Sequence, residues 1–529
     1  MRKSKIVIET QKTGDYIQPE LHGQFIEHLG NCIDSGIWVG EDSAIPNVDG
    51  LRKDVVDALA ELEPPIIRWP GGCFADTYHW RDGIGPQENR PVTFNANFGT
   101  NRLEHNQFGT HEFMDFCRKV NARPWLNINL LSGTVEEMVS WAEYCNRPHS
   151  TTLAQERQKN GDEAPFNVEF WGIGNEAWAG GGMFTAEGYA EAYRRYASAF
   201  PPFPLGDVAD TLFPQCLTTK LIAVGPDGNK PLERVQWTTG FFRAMEQFRM
   251  PKIDAYDLHF YNWNSQFEAG SDTEFDEQGW YRLLDGALEL EDVILEQHEV
   301  IRKNLPQPKS EGFGAAPAPK VDLIVGEWGN WHPFRTGKPA LWQQNTIRDM
   351  ITYALTLDIF HRHCDKVKMA CLAQSVNVLG SLILTEGEAT ILTPTYHLFM
   401  MYKAHRGARK VSCEVESDLL YSRTSKVQAA HCFASVKDGI LTLNAINADM
   451  SHENKLTITI DQGVAWLETT VLSGASPDQF NDPENLDLVT PQAGPSPVQD
   501  GDQWVITVKK ASVNVIKFMI LEPMSQKQQ

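Results

Sequence analysis

The sequence predicts an α/β fold, a (β/α)8 TIM barrel followed by a C-terminal antiparallel β-sandwich that resembles a jelly roll. One observation is a series of eight short apolar runs between about residues 24 and 404, each followed by a stretch of helical periodicity. Another is the change after about residue 407, where alternating runs are separated by turn residues and helical periodicity stops. The third is the length, because 529 residues suffice for a large core and an accessory domain. Parallel strands need crossover helices and eight tilted strands close on themselves, so the first region is predicted to be the barrel.

The predicted boundaries divide the chain into three parts. Residues 1–20 contain an N-terminal strand, residues 21–405 form the barrel, and residues 406–529 form the β-sandwich. The strand itself is predicted at residues 4–10, with a turn region at about 13–19. Because this strand precedes the barrel, we expect it to pair with the sandwich and to tie both ends of the chain together.

Within the barrel region the apolar runs are the predicted strands. In chain order they cover residues 24–30, 65–72, 124–130, 170–176, 220–226, 255–261, 323–327 and 367–374. The predicted helices cover residues 51–63, 109–121, 135–145, 186–200, 239–248, 288–303, 344–363 and 395–404. An open doubly wound sheet is the alternative, but no G-x-G-x-x-G follows the first strand and the sequence has no Walker motif, so nucleotide binding has no support.

The remaining predictions concern the strands of the sandwich and two stretches of the barrel region. Strands of the sandwich are predicted at residues 411–415, 427–436, 440–447, 455–460 and 504–508. Residues 306–319, rich in Pro, Gly and Ala, are predicted to be disordered. The acidic residues 268–277 are most simply interpreted as a solvated loop, and a rim of the active site is the alternative.

Composition limits the partners. With 47 Lys and Arg against 69 Asp and Glu, the formal charge of −22 opposes binding to nucleic acid and to anionic membranes. No run approaches the roughly 18 to 20 apolar residues of a membrane span, and the first ten residues lack the apolar core of a signal peptide. The nine cysteines are scattered and include no C-x-x-C pair, which favours free thiols in a reducing compartment. We therefore predict a cytoplasmic protein.

Two glutamates directly follow or end apolar strands. Glu176 follows residues 170–173 and an Asn, and Glu327 ends the run 323–325 after a glycine; tryptophans flank both. The carboxyl ends of barrel strands open into the cleft where ligands bind, so both side chains are expected to face a substrate. For either glutamate alone, a surface residue that caps the next helix would be an equally good interpretation. The repetition of the pattern favours a pair of carboxylates in one cleft.

Two carboxyl groups in different environments are the minimal equipment for glycoside hydrolysis. One must deliver a proton to the departing oxygen, and the other must meet the positive charge that develops at the anomeric carbon. We assign Glu176 as the acid/base and Glu327 as the nucleophile, because Asn175 is well placed to bond a sugar hydroxyl next to the reacting carbon. From the strand positions alone the assignment could be reversed.

Seven motifs together resemble glycoside hydrolase family 51, the α-L-arabinofuranosidases. The motifs are GQFIEHLG at 23–30, IRWPGG at 67–72, HWRDGIGP at 79–86, GNE at 174–176, LHFY at 258–261, GEW at 326–328 and AQSVNV at 373–378. They occur in the family's order, and the sandwich covers the remainder of the chain. The resemblance implies a retaining double displacement with Glu176 as acid/base and Glu327 as nucleophile. It also implies a homo-oligomer, a hexamer or smaller, and no metal or other cofactor.

The resemblance further implies which residues line the pocket of the terminal furanose. They are Glu27, Arg68, Asn175, Tyr261 and Gln374. Arg68 can pair with a carboxylate and keep it ionised, and Tyr261 can donate a hydrogen bond to the nucleophile.

Several neighbouring residues have two interpretations. His259 is either a partner behind the reacting groups or a direct sugar contact, and the tryptophans that follow strand ends, Trp178, Trp263 and Trp331, are interpreted as a sugar-stacking wall rather than as core. His361 and His363 are two residues apart and do not share a helix face, so a metal site there is disfavoured.

Two positions depart from the family's common pattern. Cys73 stands where an Asn that contacts the sugar is common, and Gly326 stands where Asp often precedes the nucleophile. A thiol is a weaker hydrogen-bonding group than an amide, so Cys73 bears on which sugar the pocket accepts.

Three functions are therefore weighed. The leading one is an exo-acting enzyme that releases terminal α-L-arabinofuranosyl residues from arabinoxylan- or arabinan-derived oligosaccharides. The second is a β-xylosidase or an endo-β-1,4-glucanase on the same scaffold; a cleft open at both ends favours endo action and a blind pocket favours exo action. The third is a carbohydrate-binding protein without turnover, which the presence of both glutamates and Asn175 disfavours.

Overall fold

The computed structural model describes residues 1–148, 150–203, 216–247, 249–263, 269–305 and 320–521. Within them a closed barrel of eight parallel strands confirms the predicted fold class. In chain order the strands are Gly23–Phe25, Ile66–Trp69, Arg123–Ile128, Phe170–Ile173, Lys220–Asp227, Ala255–Trp263, Asp322–Trp331 and Val367–Ala373. Each pairs with its neighbours in the chain, and the eighth pairs with the first. The predicted disordered stretch, residues 306–319, lies outside the described residues.

The helices surround the barrel. They are α1 (Lys53–Leu62), α2 (Thr110–Lys119), α3 (Val135–Asn146), α4 (Thr152–Lys159), α5 (Ala186–Ala199), α6 (Pro231–Glu246), α7 (Glu277–Asn304), α8 (Ile347–Arg362) and α9 (Pro394–Tyr402). Helix α4 was not predicted, and the predicted end of α6 at residue 248 lies outside the described part of the chain.

Two helices begin earlier than predicted. Helix α6 starts at Pro231, where the missing N–H of proline costs nothing because the first helical N–H groups have no partner within the helix. Helix α7 starts at Glu277 because the Asp276 side chain accepts a hydrogen bond from Gly279 N and caps it. Apolar periodicity alone predicts later starts for both helices. Pro231 and the Asp276 cap extend them towards the N-terminus.

The C-terminal region forms a mostly antiparallel sheet, which among the described residues has ten strands. In spatial order they are Gln492–Ala493, Val464–Ser473, Ser512–Ile520, Ile440–Asn447, Ala430–Lys437, Arg409–Glu416, Arg2–Tyr16, Asn454–Ile460, Gln503–Val508 and Val498–Asp500. The N-terminal strand pairs antiparallel with Arg409–Glu416 and parallel with Asn454–Ile460. It continues to Tyr16, so the turn predicted at 13–19 is wrong in its first half; shifts of register at Thr13 accommodate the bend.

This sheet folds over on itself to form a two-layered core. Trp504 and Phe518 lie on strands that are six places apart in the sheet, yet their ring centroids are 5.4 Å apart. Residues between them in the sheet order, such as Ile8 and Leu443, are buried in the same cluster. The two ends of the sheet therefore face each other, as the predicted sandwich requires.

Polar contacts join the two units. Trp280 Nε1 on α7 donates to Ala448 O at 3.0 Å, and Asn444 Nδ2 in the sheet donates to Asp358 Oδ1 on α8 at 2.8 Å. In the described residues no helix is both long enough and apolar enough to cross a membrane.

Candidate active site

Glu176 lies at the mouth of the barrel, just beyond the fourth strand, which ends at Ile173. The backbone turns sharply there, with φ of 90° at Gly174 and 35° at Glu176. A left-handed backbone costs little at glycine but strains a residue with a Cβ, and such strain is concentrated at functional sites. The turn brings the carboxyl group beside His259 while 17% of the side chain stays exposed.

Glu327 lies within the seventh strand, and two donors hold its carboxylate. Arg68 Nη1 donates to Oε1 at 2.6 Å, and Tyr261 Oη donates to Oε2 at 2.7 Å. Arg68 is itself fixed, because Nη2 donates to Asn175 Oδ1 at 2.6 Å and the guanidinium lies 4.7 Å from the Phe25 ring centroid. Charge-assisted hydrogen bonds stabilise the ionised carboxylate, so Glu327 is held as an anion.

His259 lies between the two glutamates. Its Nδ1 is 3.0 Å from Glu176 Oε1 and 3.6 Å from Glu327 Oε1. One carboxylate oxygen of each glutamate and a ring nitrogen of His259 all lie within 4.8 Å of one another. These contacts favour the interpretation of His259 as a partner of the reacting groups, and a direct contact with the sugar stays the alternative prediction.

The two glutamates differ in ionisation because their partners differ. Burial raises the pKa of Glu176, the charge of Glu327 adds to this effect, and the hydrogen bond with His259 offsets it only in part. Burial acts in the same direction on Glu327, but the positive charges of His259 and Arg68 and the hydrogen bonds from Arg68 and Tyr261 lower its pKa below the ordinary range. A neutral acid beside an anionic nucleophile is the arrangement that acetal hydrolysis needs.

Glu27 is the centre of a second group of hydrogen bonds. Its Oε1 accepts from Phe74 N at 2.8 Å and from Asn97 Nδ2 at 3.0 Å, and its Oε2 accepts from Gln374 Nε2 at 3.1 Å. Burial and the charge of Glu327 raise the pKa of Glu27 to about 7. Glu27 and Gln374 are therefore brought together, as the resemblance implies, with side chains able to accept and donate hydrogen bonds to sugar hydroxyls.

Cys73 lies beside Asn175, whose Nδ2 is directed at the sulfur at 3.9 Å. Burial and the charge of Glu176 raise the pKa of the Cys73 thiol, so it is a neutral, weak hydrogen-bonding group and not a thiolate nucleophile. Nearby, Asp76 is buried, and burial with the charge of Glu176 raises the pKa of Asp76 to about 8.

Of the predicted tryptophan wall, Trp331 and Trp263 lie together near the nucleophile. They stack with centroids 4.7 Å apart, and Trp331 also meets the ring of Tyr261 edge-on at 5.0 Å. Phe98, from the loop between the second strand and α2, meets the ring of Trp331 edge-on with centroids 5.8 Å apart. Trp178 is half-buried, and its Nε1 donates to Gly225 O at 3.1 Å, so its indole N–H is directed into the protein.

The cluster of Glu176, His259 and Glu327 could in principle hold a metal ion. Both oxygens of Glu327, however, already accept hydrogen bonds from Arg68 and Tyr261, and a cation would lie beside the Arg68 guanidinium. The arrangement suits proton transfer better than metal binding.

Replacing Tyr261 by phenylalanine is expected to lower kcat/KM by about 10- to 100-fold, because a hydrogen bond to a charged group contributes about 1.5–3 kcal/mol. In the wild-type enzyme the hydrogen bond from Tyr261 lowers the pKa of Glu327, so loss of this bond raises that pKa. The nucleophile is then protonated at higher pH, and the acid limb of the pH–rate profile moves to higher pH.

The matched control is Tyr256→Phe. Tyr256 lies on the same strand with the opposite orientation, and its hydroxyl donates to Thr238 Oγ1 at 3.2 Å. Initial rates between pH 4 and 9 compare the two variants; equal acid limbs would contradict the role given to Tyr261.

Sequence reasoning missed three residues of this site: Asp76, Asn97 and Asp257. Asp257 had a usable signal, because it alternates with His259 and Tyr261 along one strand and alternate residues share a face. Asp76 follows Cys73 closely in the sequence, but only its burial, which raises its pKa, distinguishes it from an ordinary aspartate. Asn97 lies on an irregular loop, whose path the sequence does not predict.

Comparison with known proteins narrows the class. Residues 326–512 match the family model described as Alpha-L-arabinofuranosidase C-terminal domain, and residues 58–279 match the Alpha-L-arabinofuranosidase 1 domain. An intracellular exo-alpha-L-arabinofuranosidase of Bacteroides ovatus is 36% identical over 498 residues, which are 93% of this chain and 90% of that protein. The crystal structure of the GH51 arabinofuranosidase from Xanthomonas axonopodis pv. citri has a TM-score of 0.88 at 33% identity and covers 98% of this chain and 100% of its own. The α-L-arabinofuranosidase of Thermotoga maritima, in its arabinose complex, has a TM-score of 0.80 at 29% identity, with coverage of 98% and 100%.

A parallel barrel with two differently ionised glutamates at its mouth defines a glycoside hydrolase. These relatives are all named arabinofuranosidases, and the matches to them extend over most of the chain. The chain belongs to glycoside hydrolase family 51, the α-L-arabinofuranosidases.

Proposed function

We propose that the enzyme is a retaining, exo-acting α-L-arabinofuranosidase that removes terminal non-reducing arabinofuranosyl residues from arabinoxylan- or arabinan-derived oligosaccharides. The observation that carries the retaining mechanism is the short separation of the two glutamates, with one oxygen of each within 4.8 Å of the other. Retaining enzymes have carboxyl groups about 5–5.5 Å apart, whereas inverting enzymes need about 6.5–9.5 Å to admit a water molecule.

The first step divides the work between the two carboxyl groups. Glu176, protonated, gives its proton to the departing glycosidic oxygen, while a Glu327 oxygen attacks the anomeric carbon and forms an arabinosyl ester. Arg68 and Tyr261 keep Glu327 ionised until the attack and hold its orientation. In the second step Glu176, now a carboxylate, takes a proton from water as that water displaces Glu327 and releases arabinose with the original configuration.

Exo action is supported by the loop that carries Asn97 and Phe98. This loop contacts Glu27 through Asn97 on one side and Trp331 through Phe98 on the other. A loop in contact with both Glu27 and Trp331 restricts the space beside them, which favours a terminal sugar over an internal segment of a polymer. An endo-β-1,4-glucanase, the alternative, needs a cleft in which the polymer chain can continue past this loop.

The alternative of a β-xylosidase depends on Cys73. The thiol replaces a stronger hydrogen-bonding group next to Asn175, so the pocket selects more by shape than by hydrogen bonds at this point. The arabinose complex of the Thermotoga maritima relative supports arabinose as the sugar that this scaffold binds. A binding protein without turnover has no support from a site in which both glutamates are held in distinct ionisation states.

Action inside the cell, on imported oligosaccharides, is supported by the name of the Bacteroides ovatus relative and by buried free thiols such as Cys32, Cys117 and Cys145. Assembly into a homo-oligomer, a hexamer or smaller, stays a prediction, which light scattering after size-exclusion chromatography tests directly.

Initial rates on 4-nitrophenyl α-L-arabinofuranoside, β-D-xylopyranoside and β-D-glucopyranoside, with barley β-glucan alongside, test the substrate. We expect the arabinofuranoside to give the highest kcat/KM by about 100-fold or more, since mismatched sugar hydroxyls leave buried polar groups unpaired. A higher kcat/KM on the xyloside, or chain cleavage of β-glucan, would contradict the proposed specificity and leave the mechanism intact.

A further inference from the structure

Asp257 is a buried carboxylate on the sixth strand, behind the reacting groups. Its Oδ2 lies 3.2 Å from His259 Nε2, and its Oδ1 accepts a hydrogen bond from Gly326 N at 2.6 Å. Gly326 is the residue before Glu327, so one side chain connects the histidine between the glutamates with the backbone of the nucleophile's strand.

The glycine at position 326 follows from this contact. A Cβ on Gly326 would lie 2.3 Å from Asp257 Oδ1 and 2.4 Å from Oδ2, closer than atoms can approach. The space that a side chain at 326 would occupy is already filled by the Asp257 carboxylate. The departure at Gly326 therefore has a structural cause, and the Asp257 carboxylate is built into the site.

The contact also fixes where the protons of His259 lie. A carboxylate accepts hydrogen bonds and does not donate them, so His259 Nε2 carries a proton directed at Asp257. His259 Nδ1, 3.0 Å from Glu176 Oε1, is then the nitrogen that shares a proton with the acid/base. A proton on Nδ1 leaves Glu176 ionised, and a proton on Glu176 leaves Nδ1 as its acceptor.

We propose that Asp257 is a positioning residue that fixes the tautomer and the charge of His259, and that through His259 it sets the pH range in which Glu176 holds its catalytic proton. The proposal rests on the acid/base role of Glu176 in the proposed function. Asp257 itself does not touch the substrate; it acts through the imidazole.

The charges around His259 give the sign of the effect. Burial disfavours a charged imidazole, but the charges of Glu327 and Asp257, with the hydrogen bonds to Asp257 and Glu176, raise the pKa of His259 to about 10. Asp227 at the end of the fifth strand adds a further negative charge near His259, whereas Arg68 on the second strand offsets part of the charge of Glu327 and Asp257. Removing the negative charge of Asp257 therefore makes it easier to lose the proton that His259 shares with Glu176.

Asp257→Asn is the sharpest variant, because it keeps an oxygen for Gly326 N–H and the shape of the side chain but removes the charge. Both limbs of the pH profile of kcat/KM are expected to move to lower pH, the alkaline limb by about one to three pH units. Asp358→Asn is the matched control, because Asp358 is a buried aspartate on α8 whose Oδ1 accepts from Asn444 of the C-terminal sheet, and its pH profile is expected to stay in place. An unshifted alkaline limb in Asp257→Asn would overturn the proposal even if kcat falls.

Nitrogen-15 NMR of the histidine side chains tests the same point in the wild-type enzyme and without turnover. In the wild-type enzyme the His259 ring, assigned by its loss in His259→Gln, is expected to keep a proton on Nε2 at pH 7, and the proton that Nδ1 shares with Glu176 is expected to be lost near pH 10. A neutral ring at pH 7 with its proton on Nδ1 would overturn the proposal. Because this readout does not involve the substrate, it separates failure of the Asp257 role from failure of the proposed reaction.

Discussion

Glu327→Ala is expected to abolish turnover, lowering kcat on 4-nitrophenyl α-L-arabinofuranoside by about 10⁴-fold or more. The variant has no group to form the arabinosyl ester, and no other described carboxylate is held by both Arg68 and Tyr261. The change also leaves the buried Arg68 guanidinium without its ion pair, which costs about 3–5 kcal/mol of folding stability. Kinetics and urea unfolding of the same preparation measure both effects.

The Glu327→Gln variant separates the loss of activity from the loss of folding stability. Glutamine keeps the shape and one oxygen acceptor for Arg68 but cannot act as a nucleophile, so activity is expected to fall as far while less stability is lost. If either variant kept a tenth of the wild-type kcat after exclusion of contaminating enzyme, Glu327 would not be the nucleophile.

Glu176→Ala is expected to lower activity by an amount that depends on the leaving group. For arabino-oligosaccharides, whose departing oxygen needs a proton, kcat/KM is expected to fall by about 10²–10⁴-fold. For an aryl arabinofuranoside with an acidic phenol the first step needs little help, so the arabinosyl-enzyme forms and then accumulates because water lacks its general base. The alkaline limb of the pH profile, which reports the proton of Glu176, is expected to disappear.

Azide provides the control for this role. The small anion needs no general base and fits the space left by the Glu176 side chain, so it is expected to restore turnover and to give an arabinofuranosyl azide of retained configuration. An equal loss of activity on good and poor leaving groups, with no effect of azide, would assign Glu176 a structural role.

The main features of this enzyme were predictable because they depend on strong local patterns. Eight apolar runs separated by helical periodicity specify the barrel. A glutamate shortly after an apolar run and a glycine indicates each reacting group, because Glu327 follows Gly326 directly and Glu176 follows Gly174 and Asn175. The motifs around Arg68 and Gln374 predicted that these side chains lie in one pocket with Glu27; in the structure Arg68 contacts Glu327 and Gln374 contacts Glu27.

The parts that were missed depend on tertiary contacts. Strand Ser512–Ile520 is paired on both edges and largely buried, so it lacks the alternation by which half-exposed strands are recognised. Asp257 becomes notable only when Gly326 and His259 are seen on either side of it. Asn97 reaches Glu27 from an irregular loop that no periodicity describes.

Mass spectrometry of the trapped intermediate tests the central claim most directly. Glu176→Ala is mixed with an aryl α-L-arabinofuranoside that has a good leaving group, quenched in acid and digested with a protease. The account predicts one added pentosyl unit on the peptide that contains Glu327, with none on the same peptide from Glu176→Ala/Glu327→Gln. A pentosyl unit on a different residue, or no adduct although phenol is released in a burst equal to the enzyme concentration, would contradict it.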